Sequence, residues 1–211
     1  MIPISQYRFI LGSSSPRRHD LLRQIGVKFT VIKPEFDEKR LSGEDPVVYA
    51  LRNSTSKGLW VAQELIRREG NGLTDTLILS ADTIVVLNGD VLEKPQDEAD
   101  AVRMLGRLSG KTHTVVTGLS LTAVDRDRRI TERSQAVHTA VTIKPMPQSE
   151  IEAYVQTGEP LDKAGSYAIQ GKGAYMVSRI DGSYTNVVGL PLSDMVDILE
   201  KEFGIWLFES N

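Results

Sequence analysis

Apolar positions along this chain recur with two different periods, and the period changes wherever small or turn-forming residues gather. Arg8 to Leu11 is a short apolar run suited to a strand. After Gly12-Ser13-Ser14-Ser15-Pro16, the residues Leu21, Leu22 and Ile25 follow helical spacing as far as Gly26. Val27 to Ile32 predicts a second strand, and the acidic segment Glu35-Phe36-Asp37-Glu38 follows it as loop. Asp45-Pro46 supplies an N-cap and a first helical turn; the stripe Leu51, Thr55, Gly58, Ala62, Leu65, Ile66 carries a long helix toward Gly70, with Lys57 off that stripe. Thr76 to Leu79 predicts an apolar strand ending in Ser80-Ala81-Asp82-Thr83. Ile84 to Leu87 meets Val91-Leu92 across Asn88-Gly89-Asp90, a hairpin signal that places Asp82 where two strands meet.

From Asp97 a third helix runs through Ala101, Val102, Leu105 and Leu108 to Ser109-Gly110, with Glu98 and Asp100 suiting the dipole of its first turn. Two long strand-like stretches, His113 to Val124 and Ser134 to Ile143, flank the charged turn Asp125 to Arg129. A helix over Gln148 to Thr157 precedes the glycine-rich stretch Gly165 to Gly173, and a last helix begins near Pro191 with Leu192, Met195, Val196 and Leu199 on one face. Alternating helices and strands with long paired strands in the middle predict an α/β fold with a mixed sheet. The expected organisation is a single domain, 1–211, with two lobes around a cleft.

Composition narrows the chemistry. The 211 residues are 40% hydrophobic and 25% charged, enough apolar side chain to bury a core and too much for disorder. A net charge of -3 provides no overall basic field, so a nucleic-acid polymer is not an expected partner and any anion site must be local. The chain has no cysteine, which excludes a disulfide framework, a thiolate metal site and a cysteine nucleophile. No apolar run approaches the roughly 20 residues that span a bilayer, so no membrane partner is expected and a cytoplasmic location fits.

Four constellations could carry chemistry. Ser13, Arg17 and Arg18 lie in a strand-to-helix turn, where backbone N–H groups, hydroxyls and guanidiniums can converge on a phosphate; equally, Ser15 can cap the helix and leave the arginines solvated. Glu38 and Asp82 follow different strands and offer hard oxygens to a divalent cation or a base to a water. Glu38 also reads as an ordinary loop acid, and Asp82, in poor company beside β-forming Thr-Ile-Val-Val, as a turn residue. Lys57, Lys94 and Lys163 are each a possible point charge for a phosphate, meaningful only if they converge. The stretch Asp162 to Gly173 combines glycines with the Gln170 amide, either a site of close approach to a planar ligand or a plain turn. His19, His113 and His138 show no metal-ligand or triad spacing.

Seven segments in order, Leu11 to Arg18, Ala81-Asp82-Thr83, Lys94-Pro95, Leu108 to His113, Gly158 to Gly165, Ile169-Gln170-Gly171 and Asn186 to Leu192, resemble the Maf family of nucleotide pyrophosphatases. The resemblance runs from Phe9 to Phe203. It implies an elongated, twisted mixed sheet with flanking helices, similar to the inosine triphosphate pyrophosphatases. It also implies hydrolysis of a nucleoside triphosphate to the monophosphate and pyrophosphate with a divalent cation, Mg²⁺ or alternatively Mn²⁺ or Co²⁺, and a homodimer. By resemblance Ser13, Arg17, Arg18, Lys57 and Lys94 bind the triphosphate, Glu38 and Asp82 position metal and water, Asp82 is the proton acceptor, and Arg17, Thr83 and Gln170 bear on substrate choice. Asp162-Lys163-Ala164-Gly165 with Ile169-Gln170-Gly171 resembles the dTTP/UTP branch rather than the 7-methyl-GTP branch. Gly12, Ser80 and Gly58 depart from the family's usual alanine, glycine and alanine; Gly58 within a helix is expected to cost about 1 kcal/mol relative to alanine. The rival reading, suggested by the family's link to septum inhibition, is a regulator that senses a nucleotide without hydrolysing it.

Overall fold

A computed structural model describes residues 2–35 and 38–208. Phe36 and Asp37, expected in the acidic loop, lie outside the described residues. The elements in chain order are β1 (Ile2–Pro3), β2 (Arg8–Leu11), α1 (Pro16–Gln24), β3 (Thr30–Val31), α2 (Pro46–Glu69), β4 (Thr76–Leu87), β5 (Asp90–Leu92) and α3 (Glu98–Leu108). They continue with β6 (Thr112–Val124), β7 (Ile130–Ile143), α4 (Gln148–Val155), β8 (Val177–Asp181), α5 (Tyr184–Val188), α6 (Leu192–Phe203) and β9 (Ile205–Trp206). Seven strands join in the order β3-β2-β4-β6-β7-β8, with β5 also on β4. The sheet is mixed as expected: β2 is parallel to β3 and β4, while β5 on β4 and β8 on β7 are antiparallel. No helix among the described residues is long and apolar enough to cross a membrane.

The chain forms two compact units. One comprises 1–82, 118–137 and 189–211; the other comprises 83–117 and 138–188. In the first, Phe9, Ile10 and Leu11 pair with Leu77, Ile78 and Leu79, all buried, because a parallel strand covered on both faces reads as a continuous apolar run. Its core gathers Ile10, Val61, Ala62, Leu65, Leu73, Ile78 and Val124. Burying such side chains is worth about 1.5–3 kcal/mol each relative to exposure. In the second unit α3 and α4 pack Leu105, Leu108, Ile151 and Val155 with Val85, Leu92, Val141 and Ile143. Asp97 caps α3 by accepting from Asp100 N at 2.7 Å.

Three expectations are corrected. Strand β3 covers only Thr30–Val31 of the predicted Val27 to Ile32. Strand β4 runs unbroken from Thr76 to Leu87, so Asp82 lies within one strand rather than between two. On α2 the buried face is Tyr49, Ala50, Asn53, Ser54, Lys57, Gly58, Val61, Ala62 and Leu65, so Lys57 belongs to it while Leu51 and Thr55 are only half-buried. An apolar stripe misreads this helix because its inner face carries polar groups that find partners on β4. The parallel pair β1 and β9, Ile2 against Ile205, had no signal in the sequence.

Candidate functional site

Helix α2 starts where expected: Asp45 Oδ1 accepts from Val47 N at 2.8 Å and Val48 N at 3.2 Å, and Pro46 occupies the first turn. That start sets which residues face β4 two and three turns later. Lys57 Nζ donates to Asp82 Oδ1 at 2.6 Å and to Glu38 Oε2 at 3.1 Å, and lies 3.5 Å from Ala81 O. Asn53, one turn earlier on the same face, donates through Nδ2 to Asp82 Oδ2 at 3.1 Å. Both oxygens of a carboxylate within a strand therefore have a donor, which is how β4 tolerates an aspartate where β-formers are the rule. The Glu38 side chain is 51% exposed, whereas those of Lys57 and Asp82 retain 9% and 12%.

The turn between β2 and α1 forms beside it. Ser15 is the N-cap position and Pro16 the first helical residue, but the Ser15 side chain makes no capping bond. Instead Ser13 Oγ accepts from Ser15 N at 3.2 Å and from Arg18 Nη1 at 3.1 Å. Arg18 is buried: Nη1 also donates to Ala81 O at 2.8 Å and Nε to Gly189 O at 2.8 Å. Burial pushes its guanidinium below the ordinary arginine value, Asp82 pulls the other way, and Arg17 adds to the downward push. Arg17 is half-buried. One unit thus brings Ser13, Arg18, Glu38, Lys57 and Asp82 into a single bonded network, with two cationic and two anionic side chains.

Thr83, Lys94 and Gln170 belong to the other unit. Thr83 Oγ1 lies 3.0 Å from Thr117 Oγ1, and Thr117 donates to Asn186 O at 3.3 Å. Lys94 is exposed, between β5 and α3. Gln170 is exposed in the glycine-rich stretch, which folds as short turns of 3-10 helix at Ala164–Ser166 and Gly171–Met176. Lys163 serves its own turn: its Nζ donates to Glu159 O at 2.6 Å and pairs with Asp162. His113 is buried against Tyr167, Nε2 to the phenol oxygen 2.8 Å, and His19 meets Phe29 edge-on.

Two residues of these networks escaped the reading of the sequence. Asn53 was hidden among polar helix residues, though its place four positions before Lys57 is the signal that could have found it. Glu159 accepts from Tyr154 Oη at 3.0 Å, Lys172 N at 2.9 Å and Gly173 N at 2.8 Å, fixing the turn just after Gln170. No local pattern announces those long-range partners.

Glu38 and Asp82 fit a hard divalent cation by donor chemistry, being two oxygen ligands that meet at one ammonium group. Mg²⁺ needs only one or two carboxylates when phosphates and waters complete its shell. No group of three His, Cys, Asp or Glu side chains able to hold a metal occurs among the described residues. A soft or nitrogen-preferring metal has no ligand set here.

The family described as Maf-like protein matches residues 8–202 of the chain. A dTTP/UTP pyrophosphatase from Geobacter sulfurreducens is 48% identical over 92% of this chain and 96% of its own length. Another of the same name from Vibrio cholerae is 47% identical over 92% and 97%. The crystal structure of a nucleoside-triphosphatase / dITP/XTP pyrophosphatase from Mycobacterium abscessus aligns over 93% of this chain and 96% of that one, with 14% identity and a TM-score of 0.38.

Proposed function

The chain belongs to the Maf family, and from that premise we propose that it is a nucleoside triphosphate pyrophosphatase acting on dTTP and UTP. Relatives at nearly half identity along almost their whole length carry that activity in their names. The observation that carries the reading in this chain is the buried Asp82 carboxylate, gripped by Lys57 beside the half-exposed Glu38. A site that only bound phosphates would gain nothing from carboxylates beside them, since like charges repel.

In the proposed reaction a water oxygen attacks the α-phosphorus, the α–β bridging P–O bond breaks, and pyrophosphate leaves with its electron pair. Asp82 orients that water and takes its proton. Ser13 and Arg17 bind phosphate oxygens at the start of α1, where the N-terminal backbone favours an anion. Arg18, whose donors already serve Gly189 O, Ala81 O and Ser13 Oγ, holds the turn and contributes its charge. Lys57 and Lys94 neutralise charge that builds on the phosphate oxygens, the largest contribution expected in phosphoryl chemistry. Glu38 and Asp82 would hold a divalent cation, Mg²⁺ or alternatively Mn²⁺ or Co²⁺, which supplies further positive charge at the phosphates. Arg17, Thr83 and Gln170 select the nucleotide. The same reading has the enzyme act in the cytoplasm on free nucleotides, as a homodimer.

The test is pyrophosphate release by the purified protein with Mg²⁺ across dTTP, UTP, CTP, 7-methyl-GTP and ITP, beside the Asp82→Ala variant. Turnover led by dTTP and UTP is expected, with D82A folded and binding nucleotide but inactive. Nucleotide binding without pyrophosphate release by the wild type would replace this reading with a nucleotide-sensing regulator. Unchanged turnover in D82A would remove Asp82 from its role.

A further inference from the structure

Among the described residues Asn53 is the most deeply buried polar residue touching the Asp82 carboxylate: as a whole residue it is 0% exposed, whereas Lys57 and Asp82 as whole residues retain 7% and 8%. Its Nδ2 donates to Asp82 Oδ2 at 3.1 Å. Its Oδ1 is buried and accepts no hydrogen bond from any described residue. A buried acceptor without a donor is a cost to the folded state, and an apolar side chain of similar volume would remove it. Among the described residues Asn53 returns one thing for that cost, the bond to Asp82.

The bond complements the one from Lys57. Asn53 and Lys57 stand four residues apart on the inner face of α2 and take opposite oxygens of one carboxylate, Oδ2 at 3.1 Å and Oδ1 at 2.6 Å. With a single donor the carboxylate could swing about its last torsion, which is broad and roughly two-fold for an aspartate. With two donors mounted on one rigid helix, the plane of the carboxylate is set. We infer that Asn53 is a positioning residue: it fixes the orientation of Asp82 from behind, without touching substrate. Lys57 cannot do this alone, because its ammonium has no directional preference about the carboxylate plane and is shared with Glu38. This inference rests on the proposed role of Asp82 and adds the residue that makes the role geometrically defined.

The test compares wild type with N53L and N53A on dTTP with Mg²⁺, reading kcat, KM and melting temperature. N53L removes both the donor and the unpartnered acceptor. Its kcat is expected to fall ~10- to 100-fold, the scale set by small misplacement of a reacting group. Its KM should stay within about twofold, and its melting temperature should fall by only about 3–6 °C, because losing the orphaned Asn53 Oδ1 offsets part of the cost of leaving Asp82 Oδ2 without its donor. N53A empties the site instead of filling it. If Asn53 positions Asp82, N53L and N53A lose kcat alike, whichever of them melts lower. A residue that merely filled space would leave N53L near wild type in kcat, with activity lost only in N53A and in step with its melting temperature; that result overturns the inference. Unchanged kcat in both variants overturns it as well. A wild type that releases no pyrophosphate sinks the proposed function first, and this inference with it.

Discussion

Asp82 and His113 are both buried titratable side chains on strands, and their surroundings differ in kind. Asp82 meets an ammonium and an amide, so its charge is answered within the fold. His113 is 3% exposed beside the Tyr167 phenol, and burial alone pushes its imidazole down to about 4. In the unfolded chain the imidazole protonates as pH falls through about 6.5, while the folded one stays neutral until about 4. Between those values the unfolded state binds more protons, so stability present above pH 6.5 is lost as pH drops, by about 2 kcal/mol at pH 5. Urea unfolding at pH 7.5 and 5.0 checks this: H113N should lose less stability over that interval than wild type. Equal losses would show that His113 is not the group responsible.

Helix α2 shows why an element can be well predicted in extent and misread in orientation. Its cap, its proline and its closing glycine are local features, and they gave the boundaries. Its inner face depends on what β4 and β6 present, and there small and polar residues take the places an apolar stripe would hold. Gly58 is the sharpest case. A Cβ there would stand 2.5 Å from Thr122 Oγ1 and 2.9 Å from Ser80 Oγ, the latter hydroxyl already donating to Ser54 O at 2.8 Å. Helix propensity alone says that alanine at Gly58 should stabilise by about 1 kcal/mol. The packing reverses the sign: G58A should destabilise by about 1–3 kcal/mol, the usual cost of overpacking. Thermal or urea unfolding decides, and a more stable G58A would show that the two hydroxyls move aside freely. Gly118 makes the companion contact on β6, where a Cβ would lie 2.2 Å from Ala50 O of the helix backbone.

For the whole molecule, each unit is built from segments far apart in sequence. Residues 1–82 contain Ser13, Arg18, Glu38, Asn53, Lys57 and Asp82, yet Arg18 Nε depends on Gly189 O, β1 on β9, and Thr55 Oγ1 on Glu132 Oε1. A fragment of residues 1–82 is therefore expected to stay unfolded, judged by circular dichroism and a lack of cooperative melting, even though it carries nearly all the proposed acid, lysine and phosphate-binding groups. A fragment that folded cooperatively would show that 118–137 and 189–211 are dispensable to that unit.

How much could be read in advance follows from the range of the interactions involved. Strand β2, the turn at Ser13 to Pro16, the capped starts of α2 and α3 and the hairpin of β4 with β5 rest on contacts between near neighbours and on hydrophobic period, so the chain by itself determined them, along with the mixed α/β class. The ordered segments also sufficed to mark Asp82, Lys57, Glu38, Ser13, Arg17, Arg18, Lys94, Thr83 and Gln170 as candidates. The tertiary structure alone decided that β4 continues through Asp82, that Lys57 lies on the buried face of its helix, that Lys163 serves its own turn, and that Asn53 holds the second oxygen of Asp82. Lys57 and Asn53 reach Asp82 across 25 and 29 residues, and β4 is held by strands distant in sequence, whereas Lys163 finds its partners within four residues. A local pattern carries no record of the partner that will answer a buried charge; only the fold brings that partner within 3 Å.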